Sequence, residues 1–484
     1  MIADGSKKPI RIRFAPSPTG PLHIGSARTT LFNWLFAKQH NGRFILRVDD
    51  TDTERSKPEY EQNIIAGLKW LELNWDEGPD IGGSYGPYRQ SERLDIYEKY
   101  LRRLLDENKA YYCFCSKEEL EEERKAMLSQ GLSPKYSGKC RNLSKEESGK
   151  QIERGDSSVI RFKTPPKEVE FNDLIRGKIK FDASLIGDIV IAKNLREPLY
   201  NFATPIDDFE MKITHIIRGE DHLPNTPKQI LIQEAFNFNE IKYAHLPLIL
   251  APDRSKLSKR YLETSLNDYR LNGYLPETIV NFLALLGWHP EDDQEILNLQ
   301  ELIQKFNLKK IQKAGAIFNI EKLEWLNAQY IKKTDSVELA EKIKDFIPEN
   351  WQTKKDLLVK TIEAEKERMK TLADFKELAD FFFELPDYEP SILKWQEMEN
   401  EKIAANLKLL RTELENIDGM NFNKDNLEKI IMPLTEVWGR GELLWPLRAA
   451  LSGKRASPGP FEIMEILGEQ ETLKRLDTAI TKLS

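Results

Sequence analysis

The stretch Ile10-Arg-Ile-Arg-Phe14, followed by Ala15-Pro-Ser-Pro-Thr-Gly-Pro-Leu-His-Ile-Gly-Ser26, decides the fold. Its first five residues alternate apolar and basic, the period of a strand, and the Pro, Ser, Thr and Gly that follow form a tight turn. Residues 26–39 lack Pro and Gly, and Ala27, Leu31, Trp34, Leu35 and Lys38 recur at helical spacing until Asn41-Gly42 ends the run. Residues 43–48 then read as a second strand. Strand, loop, helix and strand in this order open a doubly wound nucleotide-binding fold, in which the ligand lies off the strand ends. The loop 15–25 should therefore face the ligand.

Downstream the pattern changes. Residues 91–199 carry charged helices, a cysteine-bearing stretch and strand-like runs at 158–163, 178–182 and 188–193, which predicts an inserted α+β domain. Strand-then-helix patterning resumes at 212–218 and 227–236, and 245–250 is a short apolar run feeding a polar loop, 251–260. Beyond residue 335 the chain is almost wholly charged amphipathic helix, for example at 354–376, 401–414 and 423–431. The reading is an α/β multidomain chain. A split Rossmann-type domain (1–90 and 200–252) surrounds the insertion (91–199), a segment 253–335 follows the second half, and two helical parts (336–392 and 393–484) close the chain. No internal repeat or low-complexity segment interrupts it.

Bulk properties agree. With 484 residues the chain is too long for one core and should divide into about three to five units. It is 40% apolar and 31% charged, with mean hydropathy −0.55, as in ordinary soluble proteins. Residues 1–10 hold no apolar core of a signal peptide, and the best apolar stretch, 278–288, is too short to span a bilayer. Three cysteines in so long a chain argue against a disulfide framework and for a reducing compartment, the cytoplasm by default. A net charge of −7 disfavours a nonspecific nucleic-acid coater but leaves room for local basic faces.

Two loops carry the chemistry. The first ends at a helix start, where free backbone N–H groups and the helix dipole favour phosphate, and Gly20 and Gly25 permit close backbone approach. His23 would donate a hydrogen bond where charge grows on the α-phosphate. The second, Arg254-Ser-Lys-Leu-Ser-Lys-Arg260, sets four cations within seven residues, as suits a loop that closes on phosphates; a solvated turn is the plain alternative.

Together these loops resemble the two signatures of class I aminoacyl-tRNA synthetases. Arg13-Phe-Ala-Pro-Ser-Pro-Thr-Gly20, Arg47-Val-Asp-Asp-Thr-Asp52, Gly86-Pro-Tyr-Arg-Gln-Ser91 and Arg218-Gly-Glu-Asp221 narrow the resemblance to the glutamyl-tRNA synthetase family, along essentially the whole chain. Two departures stand out: Ser26 replaces the second His of the longer His-Ile-Gly-His form, and Asp49 replaces the more usual Glu. The resemblance implies ATP with Mg²⁺, L-glutamate, and tRNA-Glu (with tRNA-Gln as a second candidate) as reactants of a monomer. It implies His23, Lys256 and Lys259 as catalytic groups, and Gly25, Ser26, Ser258 and Arg260 as further ATP contacts. For glutamate it implies Arg13 and Arg218 on the carboxylates, Ala15, Ser17 and Tyr200 along the pocket and Asp49 on the ammonium, with Thr204, His222 and His245 nearby. Such a fork of arginines would leave itself unpaired against a glutamine amide. The bland alternative leaves Arg13 in solvent and pairs Arg218 with Glu220 or Asp221.

The resemblance further implies acceptor-stem binding by the insertion, stem contact by 253–335, and anticodon binding by the helical parts. There, Trp445-Pro-Leu-Arg448 and Gly453-Lys-Arg455 resemble the anticodon-end motif, and an arginine with aromatic neighbours suits unstacked bases. All three cysteines lie in one segment, as Cys113-Phe-Cys115 and Cys140. In this family the last pair is usually Cys-x-His, and Asn142 stands in the His position. Cys-x-Cys with Tyr136-Ser-Gly-Lys-Cys140 resembles instead the zinc site of the related glutamyl-queuosine tRNA synthetases, which implies zinc on Cys113, Cys115, Tyr136 and Cys140. The alternative is three small buried hydrophobes. The long helical tail disfavours the glutamyl-queuosine enzyme itself, and Pro16-Ser-Pro-Thr19 disfavours the glutaminyl enzyme.

Overall fold

A computed structural model of the chain describes residues 9–257, 265–417 and 419–484. The expectations placed on Ser258, Lys259 and Arg260 lie outside the described residues. The chain divides into two compact units, one of residues up to 269 with 279–319, the other of 270–278 with 320–484.

The first unit opens with β1 (Arg11–Phe14), α1 (Ile24–Gln39), β2 (Arg43–Leu46), α2 (Pro58–Trp70) and α3 (Leu94–Asp106). It continues with β3 (Ala110–Cys113), α4 (Lys117–Ser129), α5 (Lys145–Glu153), β4 (Val159–Phe162), β5 (Glu168–Asp173) and β6 (Gly177–Asp182). Next come β7 (Val190–Asn194), β8 (Glu197–Pro198), α6 (Tyr200–Glu210), β9 (His215–Gly219), α7 (Thr226–Ala235), β10 (Lys242–Leu246) and β11 (Ile249–Leu250).

Six strands form the main sheet in the order β2-β1-β9-β10-β5-β6, parallel throughout except for the closing β5–β6 hairpin. From β1 the chain crosses through α1 to β2 on one side and returns as β9 on the other. The carboxyl ends of β1 and β9 therefore border a topological switch point, where doubly wound folds bind ligands. Strands of a parallel sheet are covered on both faces. The alternating Arg11 and Arg13 of β1 are accordingly both buried, and each takes a buried acid: Arg11 pairs with Glu77 at 2.6 Å and Arg13 with Asp208 at 3.0 Å. The solvent-facing alternative for Arg13 does not hold.

Helix α1 starts two residues before the expected Ser26, because His23 caps it by accepting from the Ser26 N–H at 3.3 Å. It is buried nearly all round, and Asn33 ties it to β9 by donating to Ile217 O at 3.0 Å.

The segment expected as an insertion divides in the structure. Strands β3, β4, β7 and β8 build a separate antiparallel sheet over a core of Tyr97, Leu101, Leu104, Ile160 and Ile191. The hairpin β5–β6, including the run at 178–182, instead pairs with β10 and extends the main sheet, with Asp173 opposite Tyr243. Period-2 alternation marks a strand but not the sheet it joins.

The second unit is helical, with α-helices at Ile320–Lys333, Ser336–Lys342, Lys355–Glu365, Asp374–Phe383, Asn400–Glu415, Lys424–Trp438, Arg440–Ser452 and Pro460–Leu483 among its elements. One core gathers Leu275, Ile331, Leu339, Ile343, Leu358, Ile362 and Phe375, and another gathers Phe381, Leu393, Leu407, Leu410, Leu443, Leu447 and Leu476. The single helix expected at 354–376 is two, Lys355–Glu365 and Asp374–Phe383, and the Asp374 carboxylate ties down the turn between them by accepting from the N–H groups of Lys370 and Thr371, both at 2.8 Å. The segment 253–335 is also shared: Leu275 packs into the helical unit with Ile331, whereas Trp288 and Phe306 pack near Phe32 of α1. None of the described helices is long and apolar enough to cross a membrane.

Candidate active site

A cleft of about 760 Å³ opens at the switch point. Its walls come from the loop between β1 and α1, from Asp49, Tyr200, Arg218 and His222, and from 247–249 with Lys256. The expected residues Arg13, Ala15, Ser17, His23, Gly25 and Ser26 all line it. Backbone bonds hold the first loop, with Asp49 N–H donating to Pro16 O at 2.9 Å and Lys57 N–H to Pro18 O at 3.0 Å.

At one end lie the groups suited to phosphate. His23 Nδ1 accepts from the Ser26 N–H, so its proton sits on Nε2, 2.9 Å from Ser26 Oγ, and that N–H is the donor a nucleotide would claim. The His23 side chain is exposed to the cleft, and desolvation by the cleft walls together with Lys256 lowers its pKa against the pull of Asp221. Gly25 is constrained by this histidine: a Cβ there would stand 3.1 Å from the ring, whereas nothing lies within 4 Å of one at Gly20. The second loop turns at Arg254, whose φ is +65°, and pairs Leu250 with Lys256, which brings Lys256 to the cleft.

Arg28, which the sequence reading did not single out, also lines the cleft. It is buried, donates to Pro247 O and Leu286 O and has its pKa lowered to about 10, chiefly by burial. Its place five residues past His23 on an amphipathic pattern gave no hint of this.

Behind the cleft lies a charged network that the sequence reading saw only in part. Asp208 accepts from Arg13 Nε at 3.0 Å and Nη2 at 3.3 Å, and from Arg47 Nη1 at 2.7 Å. Arg47, fully buried, grips Asp49 through Nε at 2.7 Å and Nη2 at 3.2 Å, and Thr204 donates to Asp49 at 3.4 Å. Burial raises Asp208, but Arg13 and Arg47 outweigh it and hold the carboxyl below its ordinary range. For Asp49 burial wins over Arg47, and the pKa rises to about 6. The neighbouring Asp207 turns the other way and takes Arg93, Gln90 and Tyr97. A signal was present: two adjacent carboxylates in the otherwise apolar run Phe202–Phe209 need buried partners.

Arg218 differs from these arginines. It is 5% exposed, yet among the described residues it pairs with no carboxylate. Its donors meet Thr226 Oγ1 at 2.7 Å, Gln229 Oε1 at 2.9 Å, His245 Nε2 at 3.3 Å and Tyr200 Oη at 3.4 Å, all neutral acceptors. Glu220, one of the surface partners considered for it, instead pairs with Arg176 and accepts from Leu248 N–H. His222, 3.0 Å from Tyr200 Oη, has its pKa lowered to about 4 by burial and by Arg218. A buried guanidinium whose charge is unanswered, at the mouth of a cleft, is a seat for an anion.

Comparison with known proteins agrees. Residues 9–325 match the family described as class I tRNA synthetases (E and Q), catalytic domain, and 338–480 match an anticodon binding domain. A glutamate–tRNA ligase 2 from Caldicellulosiruptor saccharolyticus is 44% identical over 98% of this chain and 99% of its own. The chain belongs to the glutamate–tRNA ligase family. A further glutamate–tRNA ligase 2, from Thermoanaerobacter pseudethanolicus, is 46% identical over 97% of this chain and 98% of its own. The solved glutamate tRNA ligase of Elizabethkingia meningosepticum, in complex with its amino acid, superposes with a TM-score of 0.88 at 36% identity, over 99% of this chain and 100% of that one.

Away from the cleft, the structure gathers the expected cysteine set. The sulfurs of Cys113, Cys115 and Cys140 lie within 4.8 Å of one another. Tyr136 Oη stands 3.4 Å from both Cys113 and Cys115 sulfurs and accepts from Cys140 N–H at 2.9 Å. Burial pushes the Cys115 thiol up to about 12, whereas at Cys113 burial is outweighed by the combined effect of hydrogen bonding with Tyr136, the Cys115 backbone and Arg161, and the pKa is lowered. Three thiols this close, with the Tyr136 hydroxyl against two of them, fit the donor set of a tetrahedral ion. Asn142, in the usual His position, is exposed.

In the helical unit Arg448 lies over the Trp445 ring, 4.6 Å from its centroid, and donates to Ser457 Oγ at 3.0 Å and Arg455 O at 2.8 Å. Trp445 donates to Ile392 O at 2.9 Å, so the ring is a fixed platform for the arginine.

Proposed function

We propose that the cleft activates L-glutamate with ATP and passes it to the terminal adenosine of tRNA-Glu. Arg218 carries this reading: like Arg28 it is a buried cation of the cleft that pairs with no carboxylate among the described residues, but where Arg28 is tied to the backbone carbonyls of Pro247 and Leu286, Arg218 meets side-chain acceptors beside Tyr200 and suits the side-chain carboxylate of glutamate. Glutamine would set an amide NH₂ against a guanidinium that only donates. Asp49, steadied by Arg47 and Thr204, would hold the α-ammonium. Ala15, Ser17 and Tyr200 would line the pocket, with Arg13 and His222 at its wall.

In the first step an α-carboxylate oxygen attacks the ATP α-phosphorus, the bond to the bridging oxygen breaks, and pyrophosphate leaves with that electron pair. The chain supplies no nucleophile. His23 Nε2–H, the N-terminus of α1 with Gly25 and Ser26, and Lys256 would stabilise the charge that grows on the phosphates, with Mg²⁺ accompanying ATP. Ser258, Lys259 and Arg260 would complete this set. In the second step the 2′-hydroxyl of the terminal adenosine attacks the mixed anhydride and AMP departs. Zinc, held by Cys113, Cys115, Tyr136 and Cys140, would fix the fold of the inserted sheet and enter neither step.

The insertion, 91–199 apart from the β5–β6 hairpin, would bind the acceptor end, 253–335 the stem, and 336–392 with 393–484 the anticodon, with Arg448 as one contact. We read the enzyme as a cytoplasmic monomer. The test is glutamate-dependent ATP-pyrophosphate exchange, with tRNA-Glu and tRNA-Gln supplied separately, glutamine as competitor and Arg218→Ala as control. Exchange that requires glutamate and fails in the variant supports the reading and shows which tRNA serves; exchange driven by glutamine overturns it.

A further inference from the structure

Asp173 ends β5, in the hairpin that leaves the insertion to join the main sheet, and packs beneath His245 of β10. Both are almost fully buried, at 2% and 0% exposure. Asp173 Oδ1 accepts from the backbone N–H groups of Ile175 and Arg176, each at 2.9 Å, while Oδ2 stands 2.6 Å from His245 Nδ1. On its other side the ring meets Arg218: Arg218 Nε lies 3.3 Å from His245 Nε2, and Thr226 Oγ1 lies 3.0 Å from the same nitrogen.

A guanidinium only donates, so His245 Nε2 must present its lone pair and the ring proton must sit on Nδ1, toward Asp173. Burial and Arg218 lower the His245 pKa against the pull of Asp173, which keeps the ring neutral. The arrangement inserts one neutral ring between carboxylate and guanidinium. Arg13 of the same cleft and Arg47 behind it show the alternative, direct pairing with Asp208, which answers the charge on the spot.

We propose that Asp173 and His245 are positioning residues for substrate selection: by fixing one imidazole tautomer they orient Arg218 through a neutral acceptor and leave its charge for the substrate's side-chain carboxylate. This rests on the reading that Arg218 receives that carboxylate. The hairpin's place in the main sheet then has a functional meaning, since it delivers Asp173 to the specificity residue.

The test is Asp173→Asn in the full-length enzyme. The backbone amides of Ile175 and Arg176 keep the amide oxygen, so the new NH₂ faces His245 Nδ1 and drives the ring proton to Nε2, where it opposes Arg218 Nε–H. In ATP-pyrophosphate exchange with tRNA-Glu, we expect KM for glutamate to rise about tenfold or more, KM for ATP to stay within about twofold, and the preference for glutamate over glutamine to fall about tenfold. Proton-nitrogen correlation of the ring, assigned by its loss in His245→Gln, should show Nδ1–H in the wild type and Nε2–H in Asp173→Asn. His245→Gln, which offers a neutral acceptor toward Arg218, should keep more of the glutamate preference than His245→Leu; a merely space-filling ring predicts the reverse. An Nε2–H tautomer in the wild type, or an unchanged KM for glutamate in Asp173→Asn, overturns the proposal while wild-type exchange with glutamate continues. Absence of that wild-type exchange overturns the underlying reading as well.

Discussion

Replacing Asp208 with asparagine removes a charge and almost no volume, and so isolates what that charge does. Three N–H groups converge on this carboxylate, from Arg13 at 3.0 and 3.3 Å and from Arg47 at 2.7 Å, with both arginines and the aspartate buried. Asparagine offers one accepting oxygen where there were two, and turns an NH₂ toward a guanidinium. Breaking a buried ion pair by removing one partner costs about 3–5 kcal/mol. Asp49 and Asp207 remain near Arg47, at 2.7 and 3.8 Å, so the lower end of that range applies to Arg47 and the larger effect falls on Arg13. A loss of about 3 kcal/mol lowers the melting temperature of a domain of this size by at least about 5 °C. Because Arg13 lines the cleft, KM for glutamate should also rise, by about tenfold, with KM for ATP little changed. Calorimetry and steady-state exchange on the same preparation measure both. A melting temperature within about 2 °C of wild type together with an unaltered KM for glutamate would refute the view that Asp208 organises the amino-acid side of the cleft.

Three further outcomes follow from the same geometry. Asp49 must be ionised to hold an ammonium, and its pKa is raised to about 6, so kcat/KM for glutamate should fall as pH drops through 6; Asp49→Asn should lose most activity and flatten that limb. His23→Ala removes a donor at the attacked phosphate, and kcat for exchange should fall by about 10²–10³ with a smaller change in KM for ATP, as steady-state kinetics will show. Elemental analysis of the purified chain should find about one zinc per molecule, and Cys140→Ser should lose the zinc and lower the melting temperature while leaving KM for glutamate within about twofold.

Legibility in the sequence followed the range of the interaction. The β1-loop-α1-β2 unit could be read because the alternation in 10–14, the turn residues in 15–20 and the helical spacing in 26–39 are local. His23, Gly25 and Ser26 were read with it, since a helix start makes its own phosphate site. The partners of Arg13 could not be read: Asp208 lies 195 residues away and meets it only after β1 and α6 pack together. Asp173 was hidden for the same reason. The run 178–182 was read as a strand but 168–173, which carries Asp173, was not, and whether the pair joins β10 or the inserted sheet depends on edges that exist only in the folded chain. The break of the helix expected at 354–376 was local but subtle, a turn that the Asp374 carboxylate ties down through two backbone N–H groups.

By itself the sequence pointed to the class of chemistry, through the resemblance of its two loops to family signatures, and a further resemblance grouped Cys113, Cys115, Tyr136 and Cys140. It also determined that cations line a nucleotide cleft. Only the tertiary structure decided which of those cations is free to act. Arg13, Arg47 and Arg218 look alike on paper, yet long-range packing gives the first two a carboxylate and gives the third only neutral acceptors. A charge buried with a carboxylate is already answered, and a charge buried among neutral dipoles still seeks an anion. That difference is set by where strands and helices meet.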